Sequence, residues 1–191
     1  MGRSIENSTF TMTHNLIKSR KYFKAGNWGF TLIELLVVIS IIGILAGMIS
    51  ANINSARAKA RDVRRRADLK QVQIALELYY QTVDGYPYTG GPPNWWGNCT
   101  SYGSHPTSGA NGWVPNLAPT YMTMLPLDPK PVGTYGCYLY VSNGTDYKLL
   151  VHTTMETTGC PPMPSNDSMW DPARSPSQCS ISIYTPGAAA W

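Results

Sequence analysis

Apolar and polar positions divide this 191-residue chain into stretches of different periodicity. Residues 1–25 are polar and show neither a helical nor an alternating repeat, which predicts no packed element there. Residues 30–49 are almost wholly apolar, with Glu34 as their single charge. At about 1.5 Å per residue, a helix of that length covers a hydrocarbon core about 30 Å thick, so the run predicts a membrane-spanning helix. No proline or glycine intervenes between Gly47 and Gly85, and strong helix formers predominate, so the helix continues. At about 100° per residue, Ala56, Ala60, Val63, Ala67, Ile74 and Leu78 fall in a stripe about 60° wide. Leu69, Val72, Leu76, Tyr79 and Tyr80 form a second apolar surface on the opposite side. A small head covers one of these faces; loops of the same chain or another subunit must cover the other.

Asp84-Gly85-Tyr86-Pro87 stops the helix. Gly, Pro, Asn, Ser and Trp then dominate to about Tyr121, which predicts a long irregular loop over residues 84–121. Its tryptophans suit either a sugar- or surface-binding platform or the loop's own small core. Tyr135, Cys137, Leu139 and Val141 alternate with Gly136, Tyr138 and Tyr140, and Tyr147, Leu149 and Val151 with Lys148, Leu150 and His152. Asn143-Gly144 between them is a hairpin turn signal, and a third short strand is expected within residues 179–184. The fold class is therefore α+β: one long N-terminal helix against a small antiparallel sheet.

Charge sharpens this division. The formal net charge is +4, and residues 1–29 carry all of it through Arg3, Lys18, Arg20, Lys21 and Lys24 against Glu6. The helix stem is basic, with Arg57, Lys59, Arg61, Arg64, Arg65, Arg66 and Lys70 against Asp62 and Asp68, and the region beyond residue 70 is acidic. Such a stem suits a solvated or subunit-contacting face better than nucleic acid or lipid headgroups. Cys99, Cys137, Cys160 and Cys179 all follow the apolar run, without C-x-x-C spacing, and point to disulfides in an oxidising compartment rather than zinc. Spacing leaves the pairing open. Asp146, Asp167 and Asp171 are possible oxygen ligands for calcium, but they do not follow a calcium-loop pattern. The chain holds no Gly-x-Ser-x-Gly, phosphate loop or metal-spaced His pair, so neither an enzyme nor a cofactor is expected.

Lys24-Ala25-Gly26-Asn27-Trp28-Gly29-Phe30-Thr31-Leu32-Ile33-Glu34 resembles the processing site of type IV pilins and type II secretion pseudopilins. The resemblance runs from Gly29 through the helix to about Tyr80. It implies a leader over residues 1–29, cleavage between Gly29 and Phe30 by a prepilin peptidase, and N-methylation of Phe30. It also implies that Glu34 meets the new amino group of an adjacent subunit and sets the register of assembly. Gly43 and Gly47 match small-xxx-small packing, which serves close helix contact or local melting. Leu125-Pro126-Leu127-Asp128-Pro129 is similar to a segment of major pseudopilins, whereas Lys130-Pro131-Val132-Gly133 departs from the continuation that precedes their calcium loop. The Cys160 to Cys179 segment resembles the disulfide-bounded C-terminal loop of many pilins.

The organisation expected from this resemblance is a transmembrane and assembly segment over residues 30–53, an amphipathic stem over 54–83 and a head over 84–191. Within the head, a β-hairpin occupies 135–152 and a C-terminal disulfide-bounded region 160–191. The expected function is that of a homopolymeric filament subunit in a pilus for adhesion, motility or DNA uptake. The alternatives are a type II secretion pseudopilin and a membrane-anchored binding module. The expected partners are the peptidase, an inner-membrane assembly platform and the membrane itself. The head would lie outside the cytoplasm on a single-pass anchor, ending in an extracellular pilus or a periplasmic pseudopilus.

Overall fold

Helix α1 (Leu32–Val83) starts at a capping box, in which Thr31 and Glu34 satisfy groups that the first turn leaves unpaired. The Thr31 amide and hydroxyl donate to Glu34 Oε2 at 2.9 and 2.7 Å, and the Glu34 amide donates back to Thr31 Oγ1 at 3.3 Å. The computed structural model describes residues 29–157, 167–174 and 178–191, and only the backbone of residues 48–52. The expected leader therefore lies, through Trp28, outside the described residues, as does Cys160. The chain divides into two units, Met1–Ile44 and Leu45–Trp191. In the first, α1 exposes its large apolar side chains. Among the described residues no helix is long and apolar enough to cross a membrane; the span expected over residues 30–53 includes residues 48–52, whose side chains are not among those described.

In the second unit α1 ends at Asp84, which takes a left-handed φ of 57° while its amide bonds to the Tyr80 carbonyl. The Tyr86 amide then reaches the Gly144 carbonyl at 2.7 Å, tying the helix exit to the hairpin turn. Four antiparallel strands follow in the order β1 (Trp96–Gly97), β2 (Cys137–Ser142), β3 (Tyr147–His152) and β4 (Ile181–Tyr184). Tyr138 faces Val151 and Tyr140 faces Leu149 across β2 and β3, while Leu149 faces Ile183 across β3 and β4. β1 is an addition to the predicted hairpin and third strand. Two residues in a Gly/Pro/Trp stretch carry no alternation, and Gly97 is there because a Cβ would collide with the Leu139 side chain.

The period-2 pattern places Tyr138, Tyr140, Tyr147, Leu149, Val151, Ile181 and Ile183 on the helix side of the sheet, where they pack with Leu69, Val72, Ala75 and Leu76 of α1. Each of these buried Leu or Val side chains contributes about 1.5–3 kcal/mol. The opposite face is buried as well: Cys137, Leu139 and Leu150 lie under Cys99, Trp95 and Tyr102. The irregular loop thus covers the sheet's outer face. Trp113 within it is fully buried and donates its indole N–H to the Pro126 carbonyl, the bland outcome for a loop tryptophan.

Candidate processing and assembly surfaces

The predicted assembly residues Glu34, Gly43 and Gly47 all lie on open surface among the described residues. Phe30, Leu32, Ile33 and Leu35 are exposed, and a Cβ added at Gly29, Gly43 or Gly47 would meet nothing within 4 Å. Among the described residues the glycines make no close approach, which leaves them open to a tight helix contact with another molecule. The capping box spends one oxygen of Glu34: both Thr31 bonds fall on Oε2. The spacing Thr31-x-x-Glu34 ahead of an apolar run is the local sequence signal for this box, one not drawn on in the reading of Glu34 above.

In the second unit the two apolar faces of the stem meet different fates. Leu69, Val72 and Leu76 are fully buried, and Tyr79 packs at the edge of the same core. Ala56, Ala60, Val63, Ala67, Ile74 and Leu78 are all exposed, so no loop of this chain covers the 60° stripe among the described residues. Tyr80, grouped by sequence with the second apolar surface, is exposed too and packs at a tilt on Tyr86, ring centroids 4.8 Å apart.

The basic stem divides in the same way. Arg61 forks onto Glu156 at 2.6 and 2.7 Å, and Arg66 onto Asp167 at 3.0 and 2.9 Å. Arg65, fully buried, forks onto Asp128 at 2.9 Å to each oxygen and also reaches Asp62 at 2.8 Å. Asp62 in turn accepts the backbone amides of Glu156 and Thr157. The expected contrast of basic stem and acidic head is thus largely cancelled inside the subunit. The Arg61 fork holds Glu156 well below the usual carboxylate range, and the Arg66 fork likewise lowers Asp167. Burial raises Asp68, against the hydrogen bond it accepts from the Tyr138 hydroxyl at 2.7 Å. Arg57, Lys59, Arg64 and Lys70 stay exposed.

The three calcium candidates are not brought together. Asp146 accepts the Thr185 hydroxyl, Asp167 holds Arg66, and Asp171 pairs with Lys148 at 2.8 Å and with Arg174. Among the described residues no three His, Cys, Asp or Glu side chains form a cation site. Cys99 is bonded to Cys137, and Cys179 is disulfide-bonded; Cys160 lies outside the described residues. The Lys148 to Asp171 pair, fully buried on both sides, is not legible in the sequence. Lys148 falls on a nominally polar strand position, and nothing local to it announces an acid 23 residues away.

The Prokaryotic N-terminal methylation motif matches residues 29–50. Over 61 residues the chain is 38% identical to the type II secretion system core protein G of Pseudomonas aeruginosa, covering 32% of this chain and 43% of that one. It is 44% identical over 61 residues to the type IV wide pilus major component PilA4 of Thermus thermophilus, covering 32% and 45%. It is 36% identical over 64 residues to the type IV major pilin protein PilA of Myxococcus xanthus, covering 34% and 29%. The chain thus spans less than half the length of these curated relatives. No solved structure matches. The N-terminal part of the chain is thus similar to type IV pilins and to the type II secretion system core protein G. The long helix on a disulfide-bonded four-stranded sheet is a type IV pilin-like α+β fold.

Proposed function

We propose that this chain is a structural subunit of a type IV pilus-like filament, cut between Gly29 and Phe30, methylated at Phe30, and held by α1 in the inner membrane until assembly. The observation that carries this reading is the methylation motif over residues 29–50 at the start of a helix whose apolar side chains are exposed. An exposed apolar surface of that extent needs lipid or other subunits to cover it. Glu34 keeps Oε1 for the amino group that cleavage creates on a neighbour, and a pair desolvated between packed helices makes the loss of either partner costly. The stem stripe adds a second assembly surface, and heterologous contacts that do not close produce open helical fibres. A prepilin peptidase and an assembly platform are the partners this reading requires, and it gives the chain no catalytic role.

The test is the intact mass of the chain from cells making the cognate peptidase. Residues 30–191 plus one methyl group are expected, and an uncut chain overturns the proposal. Glu34→Ala should leave membrane insertion intact and abolish fibres. A second reading, the secretion pseudopilin, is favoured by Leu125-Pro126-Leu127-Asp128-Pro129, whose Asp128 receives the Arg65 fork. Electron microscopy separates the two: long surface fibres support the pilus, and their absence beside a secretion defect supports the pseudopilus.

A further inference from the structure

The four stem cations that the head does not use have a definite arrangement. At about 100° per residue, Lys59 and Lys70 lie along one edge of the exposed stripe, and Arg57 and Arg64 along the other. Among the described residues Arg57 and Lys59 have no carboxylate partner. Arg64 is 63% exposed with a long 3.8 Å approach to Asp68, and Lys70 reaches only the Gln73 side chain. Asp62 and Asp68 point to the head side, and Glu77, the acid nearest the stripe, accepts the Tyr86 and Tyr147 hydroxyls. The surface is therefore an apolar strip, rich in alanine, between two cationic rails.

We propose that this face lies against an anionic phospholipid surface before the subunit is assembled. The inference rests on the reading of the chain as a membrane-held subunit. A lipid surface offers phosphates beside an apolar boundary, the pattern that apolar strip and flanking cations match. A nucleic acid backbone would satisfy the cations and leave the strip against polar groups. The same face of a second copy would bring two sets of four cations together. Because Ala56, Ala60 and Ala67 bury little area, apolar contact alone holds the face weakly, and headgroup charge supplies the adhesion, about 1 kcal/mol for each Lys or Arg near the surface. Arg57 and Lys59 follow Ile53 by four and six residues, within about 10 Å along the helix, so the chain itself delivers them to the headgroups of the membrane that holds it, and Arg64 and Lys70 reach the same headgroups only when the stem lies along the surface. The stem is thus shielded until neighbouring subunits replace lipid on the strip.

The experiment places one thiol at Val63→Cys in the full chain, with the unsubstituted chain as the blank and Thr145→Cys at the hairpin tip as the exposed control. The protein is reconstituted at low density in phosphatidylcholine vesicles, with or without about one third phosphatidylglycerol, and treated with a water-soluble maleimide. Labelling at position 63 should slow about tenfold with the anionic lipid only, recover in about 0.5 M salt, and be unprotected when Arg57, Lys59, Arg64 and Lys70 are all glutamine. Arg57→Lys with Arg64→Lys should keep the protection. Equal rates in both vesicles overturn the inference. Protection that rises with protein density assigns the face to a second copy, and protection by an oligonucleotide without anionic lipid assigns it to nucleic acid; both overturn it. A chain that alkaline carbonate strips from the vesicles overturns the membrane-held reading itself. A chain retained but unprotected overturns this inference alone.

Discussion

Thr31 and Glu34 are bound to each other at the first turn of α1, the threonine amide and hydroxyl both donating to a single carboxylate oxygen. The glutamate that the sequence presents as a misplaced charge therefore has a local duty, starting the helix, alongside its proposed contact with a neighbour's amine. The proposed cleavage after Gly29 would leave Thr31 and its amide in place, so the box would survive processing.

The two duties separate by substitution. Thr31→Ala should cost about 1 kcal/mol in helix-start stability, the usual value of a cap, while fibres still form. Glu34→Gln keeps an acceptor for Thr31 and removes the charge, so fibre yield should collapse with processing unchanged. Quantified fibres and intact mass check both, and equal fibre yields in wild type and Glu34→Gln would show that the charge has no assembly role.

Arg65 gives the largest expected stability effect. Arg65→Met leaves Asp62 and Asp128 buried without their counter-charge, a loss of about 3–5 kcal/mol by thermal unfolding in detergent. Arg65→Lys should recover only part of it, because an ammonium cannot reproduce the fork onto Asp128.

Acid should loosen the grip of the head on the stem. Glu156 and Asp167 titrate below their unfolded values, so the stability they contribute is complete above the ordinary carboxylate pKa of about 4 and is lost as pH falls through their lower folded values. Asp68, shifted upward, works in the opposite sense and relaxes on protonation. Unfolding temperatures between about pH 2 and 7 should show the drop in wild type and a flatter profile in Glu156→Gln with Asp167→Asn.

The stem faces should answer differently to the same change. Val72→Asp puts a charge into the core beneath the sheet and should unfold the head. Ile74→Asp, two residues away on the exposed stripe, should alter unfolding by no more than about 0.5 kcal/mol and still abolish fibres. Normal fibres from Ile74→Asp would remove the stripe from the assembly surface.

The Cys99 to Cys137 bond closes a separation of 38 residues around the irregular loop. Chain entropy assigns such a closure about 4 kcal/mol, so Cys99→Ser with Cys137→Ser should lower stability by that order. Hydrogen exchange should rise first in residues 95–105.

Local periodicity and turn chemistry carried the legible part of this protein. Two apolar helix faces, the Asn143-Gly144 hairpin and the Asp84-Gly85 stop were readable because each depends on neighbours within a few residues. What escaped were pairings between distant residues. Lys148 read only as an alternating strand position because its acid lies on a separate segment, and Arg61, Arg65 and Arg66 read as one basic run although they fork onto Glu156, Asp128 and Asp167 of the head. β1 was illegible for another reason, since a two-residue strand has no period. Glu34 sits between these cases: its capping partner was in plain view three residues upstream.

The three arginine forks also decide how the subunit bears load. Arg61, Arg65 and Arg66 rise along neighbouring turns of one helix and anchor to Glu156, Asp128 and Asp167, which come from separate segments of the chain, with Arg65 touching Glu156 as well. A pull along the helix axis stretches all three anchorages at once, so they share the force and must fail together. A fibre built from such subunits would resist tension in shear, where a single anchorage would let the head peel from its stem.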